Sequence, residues 1–337
     1  MGNRTLTAVP GLRVGHAGDA RAATGCTAIL GPFAAAVEIR GMATGSRELD
    51  ALSLLHLVPV CDAIVLTGGS AFGLAAADGV AAWLEERGYG FPTPAARVPI
   101  VPAAVIYDLG VGRADIRPDA AMGRAAAEAA STQPVGEGRV GAGTGATVGK
   151  LRGIAASEPG GIGSWADRVG DHAIGALAVV NAFGDVLDGQ GRILAGCRDP
   201  EAGFVDTAEA LRRGADLPPA EASGLGQNTT LCVVATDLGL GKRELKIVAR
   251  QAFAALARRI SPSGTPLDGD VVFAISTGAA TRMPSPRPDR TEDAAPLDLL
   301  RLGVRASAIL ERALERAVGG DAGGSGEAGA GTGGARS

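Results

Sequence analysis

The chain holds 337 residues but only three histidines, His16, His56 and His172. None has a G-x-S-x-G serine or an evident acid partner near it in sequence, so a Ser-His-Asp triad has little support. Hydrolysis at neutral pH then needs another base. An α-amino group, with an unperturbed pKa near ~8, can serve when it sits on the residue whose hydroxyl it activates. That arrangement requires an internal Ser, Thr or Cys released as a new amino terminus. The stretch Asn228-Thr229-Thr230-Leu231-Cys232-Val233-Val234-Ala235 has the local form: a glycine-rich lead, Gly224-Leu225-Gly226, then a hydroxyl residue opening an apolar strand. The pattern alone is a weak signal, because threonine is a favoured strand residue everywhere.

Three further glycine-rich segments stand out. Thr67-Gly68-Gly69-Ser70-Ala71-Phe72-Gly73 joins an apolar strand to a helix, which makes it a possible anion cradle built from N–H groups. It lacks the G-x-G-x-x-G spacing of a dinucleotide site. Gly143-Thr144-Gly145-Ala146-Thr147-Val148-Gly149-Lys150 looks briefly like a phosphate loop, but a Walker A motif needs Gly where Thr144 stands and Ser or Thr where Leu151 stands. Lys150 could still be a site residue, since a desolvated ammonium can stabilise a developing anion. The bland alternative for Gly143–Lys150 is a strand or turn whose glycines admit close backbone contact, and Gly160 to Gly163 is the third such segment.

The elements that must position these groups are visible as apolar runs. Ala63–Leu66, Val98–Val101, Leu177–Val180, Leu231–Ala235 and Val271–Ile275 read as strands covered on both faces. Helices are expected over Ser70–Arg87, with Phe72, Ala76, Val80 and Trp83 on one side, over Ala120–Ala130, over Arg243–Ile260 and over Ala295–Val318. Such alternation implies an α/β protein, either in layers of helix, sheet, sheet, helix or as one sheet with helices on both sides. Residues 319–337 are Gly/Ala-rich with little to bury and read as a disordered tail, leaving one domain over residues 1–318.

Composition narrows the function. A formal charge of −4 with no long basic run gives no electrostatic footprint for nucleic acid or an anionic membrane. No apolar stretch approaches the ~18 residues that span a bilayer, and the amino terminus lacks a secretory h-region, so a soluble cytoplasmic protein is expected. Cys26, Cys61, Cys197 and Cys232 are scattered without metal-ligand spacing and read as reduced core residues; no metal or cofactor is expected.

The chain resembles the L-aminopeptidase/D-esterase family of self-processing N-terminal-nucleophile hydrolases, which includes β-peptidyl aminopeptidases and the nylon-oligomer endohydrolase. The resemblance runs from about Val9 to Val318. It rests on Gly11–His16, Leu66–Leu74, Val105-Ile106-Tyr107-Asp108-Leu109, Gly141–Ala146, Val179–Gly184, Asn228-Thr229-Thr230 and Leu267-Asp268-Gly269-Asp270, all in order. It implies a four-layer α-β-β-α sandwich, of the type shared with ornithine acetyltransferases. It also implies self-cleavage into residues 1–228 and 229–337, the two fragments intertwined, with processed units forming a homo-oligomer, a tetramer being favoured. Position by position, Thr229 resembles the released nucleophile and Asn228 the residue left at the end of the larger fragment. Asp268 and Asp270 resemble the pair that orients the nucleophile, Asn181 an oxyanion-side donor, Lys150 a lysine of the same cluster and Tyr107 a tyrosine facing substrate. In the β-peptidyl aminopeptidases the two aspartate positions look like Ser and Glu; here both are Asp, closer to the nylon-oligomer hydrolase.

The substrate class so implied is a small peptide or linear amide. Two rivals make different predictions: an acyltransferase of the ornithine acetyltransferase type would turn over acetyl-ornithine, and a binding scaffold would remain one uncut chain.

Overall fold

The computed structural model describes residues 2–201, 203–218, 228–278 and 296–319. Nine strands carry the architecture: β1 (Arg13–Asp19), β2 (Thr24–Ile39), β3 (Ser46–Arg47), β4 (Cys61–Thr67), β5 (Ala103–Val105), β6 (Gly161–Val169), β7 (His172–Asn181), β8 (Thr229–Thr236) and β9 (Val271–Ser276). They are ordered β6-β7-β8-β9-β2-β4-β5-β3, with β1 also on β2. The pairs β8–β9 and β4–β5 are parallel, and the rest are antiparallel.

β2 belongs to both halves of this order. Its residues from Ala34 to Ile39 pair with β9, and its earlier residues pair with β1 and β4 across a register shift between Leu30 and Phe33. Two sheets therefore share one long strand. No strand is expected there from sequence, because Gly31-Pro32 reads as a break and Ala34-Ala35-Ala36 has poor strand propensity. Burial on both faces overrides both signals.

Side-chain alternation then produces the layers. Leu231, Val233, Val271, Phe273, Leu177 and Val179 of one sheet meet Ile29, Phe33, Ile64 and Leu66 of the other in a central core. The opposite faces are covered by helices. Cys232, Val234, Val272 and Ala274 pack beneath α3 (Lys242–Ala252), α4 (Ala254–Arg259) and α5 (Pro296–Arg316), through Leu245, Val248, Leu256, Ile309 and Leu310. Ala28, Leu30, Ala63 and Val65 pack beneath α1 (Ala76–Glu85) and α2 (Ala120–Glu128), through Val80, Trp83, Leu84 and Ala126. The result is the α-β-β-α sandwich. Burial of each large apolar side chain contributes about 1.5–3 kcal/mol.

Several expected elements shift. Ser70–Ala75 is a 3₁₀ turn rather than the first turn of a helix, and Phe72 is 58% exposed, outside the core. Within Val98–Val101 only Val98 is strand-paired; Pro99 and Pro102 remove ladder donors on the way into β5. The helix expected over Arg243–Ile260 breaks at Phe253 into α3 and α4, and Ile260 is extended. All four cysteines are free and buried. The Gly224–Gly226 lead and the tail from 320 onward lie outside the described residues. Among the described residues no helix is long and apolar enough to cross a membrane.

Candidate active site

The antiparallel register of β7 and β8 sets Asn181 directly opposite Thr229. Because β9 runs parallel to β8 from Val271 beside Leu231, the turn that feeds it, Asp268-Gly269-Asp270, arrives beside the Asn228–Thr229 peptide. Asn228 and Asp268 form an isolated parallel bridge. The Gly269 N–H donates to the Asn228 carbonyl oxygen at 2.7 Å, and Thr229 Oγ1 donates to the same oxygen at 2.6 Å. A Cβ on Gly269 would lie 2.6 Å from Thr229 Oγ1, so close approach requires glycine at this position.

The two carboxylates are fixed from several directions. Asp270 Oδ1 accepts the Thr230 N–H at 2.7 Å, and Asp268 Oδ2 accepts the N–H and hydroxyl of Thr265 at 2.9 and 2.8 Å. The end of β2 straps the turn from outside: Arg40 N–H and Gly41 N–H donate to the Asp270 carbonyl at 3.3 Å, and Ala43 N–H to that of Asp268 at 3.0 Å.

Lys150 arrives on a loop docked onto residues 183 and 184, where its N–H donates to the Phe183 carbonyl at 2.8 Å. Its Nζ donates to Asn181 Oδ1 at 2.8 Å and to the Asn181 carbonyl at 3.1 Å. Asn181 Oδ1 also accepts the Thr147 N–H at 3.1 Å, while Nδ2 donates to the Tyr107 carbonyl at 3.3 Å. These bonds fix which way the amide points. Tyr107 thus joins the network through its backbone, and its side chain is half-buried.

Thr229, Lys150, Asn181, Asp268 and Asp270 are all at most 4% exposed, which sets the electrostatics. Burial pushes the Asp270 carboxyl up to about 7, and the neighbouring Asp268 charge adds to the rise. Burial also raises Asp268, against the opposing pull of hydrogen bonds from Thr265 and Phe183 and of the Lys150 charge. The Lys150 ammonium is pulled down to about 7 by burial, opposed by Asp268 and Asp108. Asp270 and Lys150 are thereby brought to similar proton affinities, a condition that suits proton transfer near neutrality.

Each histidine is engaged elsewhere. His16 Nδ1 lies 2.9 Å from Thr27 Oγ1, with burial lowering its pKa to about 4; His56 Nδ1 accepts the Val58 N–H; His172 faces Asp237 at the surface. The anion cradle expected at Thr67–Gly73 is already filled, because the Gly69 N–H donates to Asp108 Oδ1 at 2.7 Å. Sequence reasoning gave Asp108 no role. Its signal was an acidic residue closing the buried run 103–106. An open groove of about 560 Å³ is lined by Arg4, Thr7, Thr132, Asp167 and Arg168 and contains none of the clustered residues. Among the described residues no group of His, Cys, Asp and Glu is disposed to hold a metal.

Comparison with known proteins identifies the family and the fold. The model of peptidase family S58 matches residues 4–320. An uncharacterised aminopeptidase of Mycobacterium tuberculosis (strain ATCC 25618 / H37Rv) is 40% identical over 305 residues, covering 83% of each chain. The 6-aminohexanoate-oligomer endohydrolase of Kocuria sp. (strain KY2) is 34% identical over 314 residues, covering 90% of this chain and 84% of that protein. Two solved structures share the fold at 23% identity and cover 93% of this chain. A Burkholderia sp. β-aminopeptidase has a TM-score of 0.67 with 86% of that chain covered. The L-aminopeptidase D-Ala-esterase/amidase of Ochrobactrum anthropi, described as a variant of the Ntn hydrolase fold, has a TM-score of 0.66 with 85% covered. The chain belongs to peptidase family S58 and is a hydrolase of amide bonds built on the N-terminal-nucleophile hydrolase fold.

Proposed function

We propose that this hydrolase processes itself between Asn228 and Thr229 and that Thr229, as the new amino terminus, is its nucleophile. The observation that carries the proposal is the pair of hydrogen bonds on the Asn228 carbonyl, one from the Gly269 N–H and one from the Thr229 hydroxyl. A hydroxyl beside the carbonyl of its own preceding peptide, with a backbone donor already on that oxygen, is the starting arrangement for an N-to-O acyl shift. Thr229 Oγ bonds to the Asn228 carbonyl carbon, the C–N bond breaks, and the hydroxyl proton passes through a neighbouring carboxylate to the departing amine. Water then hydrolyses the ester, leaving a carboxylate on Asn228 and restoring the Thr229 hydroxyl. Residues 1–228 and 229–337 would be the resulting fragments, and copies of the processed unit would assemble into a homo-oligomer.

In the mature site the α-amine of Thr229 takes the proton as Oγ attacks an amide, and water releases the acyl group. Asp268 and Asp270 hold the amine. An opposite charge within ~4–6 Å raises its pKa, which burial and the Lys150 charge offset. The Gly269 N–H, vacated by Asn228, is placed to meet the substrate oxyanion, with Asn181 and Lys150 beside it.

For substrate we propose short peptides, amino-acid amides and linear ω-amino-acid oligomers, including 6-aminohexanoate oligomers. The paired aspartates and the 34% identity to the Kocuria enzyme support the last of these. The tests are direct. Denaturing electrophoresis and mass spectrometry should find two fragments split at Asn228/Thr229; a single 33.5 kDa chain with full activity would refute the mechanism. Assaying the three amide classes separately ranks the substrates.

A further inference from the structure

Asp108 follows Tyr107 where the chain leaves β5, and it is only 2% exposed. Both carboxylate oxygens are occupied: Oδ2 accepts the Thr24 hydroxyl at 2.7 Å and Oδ1 the Gly69 N–H at 2.7 Å. The surrounding backbone makes room for it. A side chain on Gly68 would overlap Oδ2, and a Cβ on Gly145 would lie 2.8 Å from the Asp108 Cβ. Yet neither hydrogen-bond donor carries a charge. A neutral oxygen acceptor would serve Thr24 and Gly69 nearly as well, whereas burying an ionised carboxylate costs several kcal/mol without a counter-charge. Lys150 is tied to this strand end through Asn181, whose Oδ1 accepts from Lys150 Nζ while its Nδ2 donates to the Tyr107 carbonyl next to Asp108, and the carboxylate charges that act on Lys150 are those of Asp268 and Asp108.

We propose that Asp108 is a positioning residue of the Thr229 site. Its charge holds the Lys150 ammonium in place. Its main-chain neighbour, the Tyr107 carbonyl, holds the Asn181 amide opposite Thr229. This assigns a use to the Thr67–Gly73 segment, whose turn anchors a resident carboxylate rather than a bound anion. The proposal rests on the reading of Thr229 as a self-released nucleophile.

Burial alone disfavours the charge on both groups, raising Asp108 and lowering Lys150, and each one's charge offsets the other's penalty. Lys150 Nζ bonds to neutral Asn181 on β7 and is acted on by the charges of Asp108 after β5 and Asp268 before β9, Asp270 acts in turn on Asp268, and, once the chain is cut, the Thr229 amine would join them opposite Asn181. Removing the Asp108 charge therefore lowers the proton affinity of Lys150.

The probe is the protein's own Asn228–Thr229 bond, with cleavage of freshly translated full-length chain followed by electrophoresis between pH 5 and 10. In D108N the Lys150-dependent limb of the rate profile should move to lower pH. Each unit of displacement changes the rate beyond the limb by about tenfold. K150M should erase the limb, and T24V, which keeps the charge, should leave it in place. An unmoved limb in D108N, or an equal shift in T24V, would show that Asp108 acts only through packing. If D108N does not fold, the D108N/K150M double variant decides. A charge pair predicts that the double variant recovers cooperative urea unfolding, and a double variant that stays unfolded overturns the proposal. Failure of the wild-type chain to cleave at all would instead sink the function on which this inference rests.

Discussion

Gly69, just after β4, and Gly269, just before β9, each present a backbone N–H to an oxygen at 2.7 Å, and they are put to opposite uses. The Gly69 donor meets a carboxylate that is part of the chain, so its partner's charge is fixed before any reaction begins. The Gly269 donor meets the Asn228 carbonyl, a neutral group whose oxygen gains charge only if the peptide is attacked. Only a donor of the second kind lowers a barrier, because its interaction strengthens between ground state and transition state. The same backbone device thus organises the site on one side and supplies catalysis on the other.

The largest effect expected is from Thr229→Ala, which should remain one chain and lose hydrolysis by about 10⁴-fold or more, as removal of a nucleophile does elsewhere. Electrophoresis and a rate assay check both halves. Next, the two glycines can be set against each other. Gly269→Ala crowds Thr229 Oγ1 and displaces the donor, so self-cleavage should slow by about 10²–10³-fold. Gly69→Ala, at φ +77°, should cost roughly 1–2 kcal/mol of stability while cleavage still runs to completion. Equal loss of cleavage in both variants would erase the distinction.

Acid–base linkage gives a smaller effect, read as urea midpoints against pH in the uncut Thr229→Ala protein. Asp270 has a raised folded-state pKa, so the native state holds its proton more tightly than the unfolded chain. Its contribution is fully present below the unfolded value of 3.8 and is lost as pH rises through about 7. Lys150 is lowered from 10.5 to about 7, so its contribution is present above 10.5 and lost as pH falls through about 7. Asp270→Asn should flatten the acidic window and Lys150→Met the alkaline one. The smallest effect should be that of His172→Ala, which removes an exposed pair with Asp237. A change within about 0.5 kcal/mol and unaltered cleavage are expected.

Much of this site was legible as residues and little of it as geometry. Thr229 opening a buried strand is a weak signal by itself and the two aspartates read as an ordinary turn before another strand; the family resemblance is what singles them out. That Asn181 stands opposite Thr229 depends on the register of β7 against β8, which is set by the burial of alternate side chains over a whole sandwich. β2 escaped notice because local propensity argues against a strand through Gly31-Pro32 and three alanines, whereas two sheets and two helical layers need one there. Phe72 misled for the converse reason: helical spacing placed it in a core that the tight turn at Ser70–Ala75 turns away from. Asp108 falls inside the matching segment Val105–Leu109 without a role of its own, and the use proposed for it depends on Lys150, which is distant in sequence.

The strand order also governs how the molecule would respond to a cut after Asn228. β8 and β9, the strands of the main order that lie beyond that bond, are wedged between β7 and β2 from before it, with ladders on both flanks. A nick would free the Asn228 end from Gly269 but leave the β7–β8, β8–β9 and β9–β2 ladders in place, and would barely register in the folded protein. Once melted, however, the pieces would have to find each other by diffusion, so recovery would depend on concentration where the uncut chain's would not, and heat resistance would become a matter of how slowly the ladders first open.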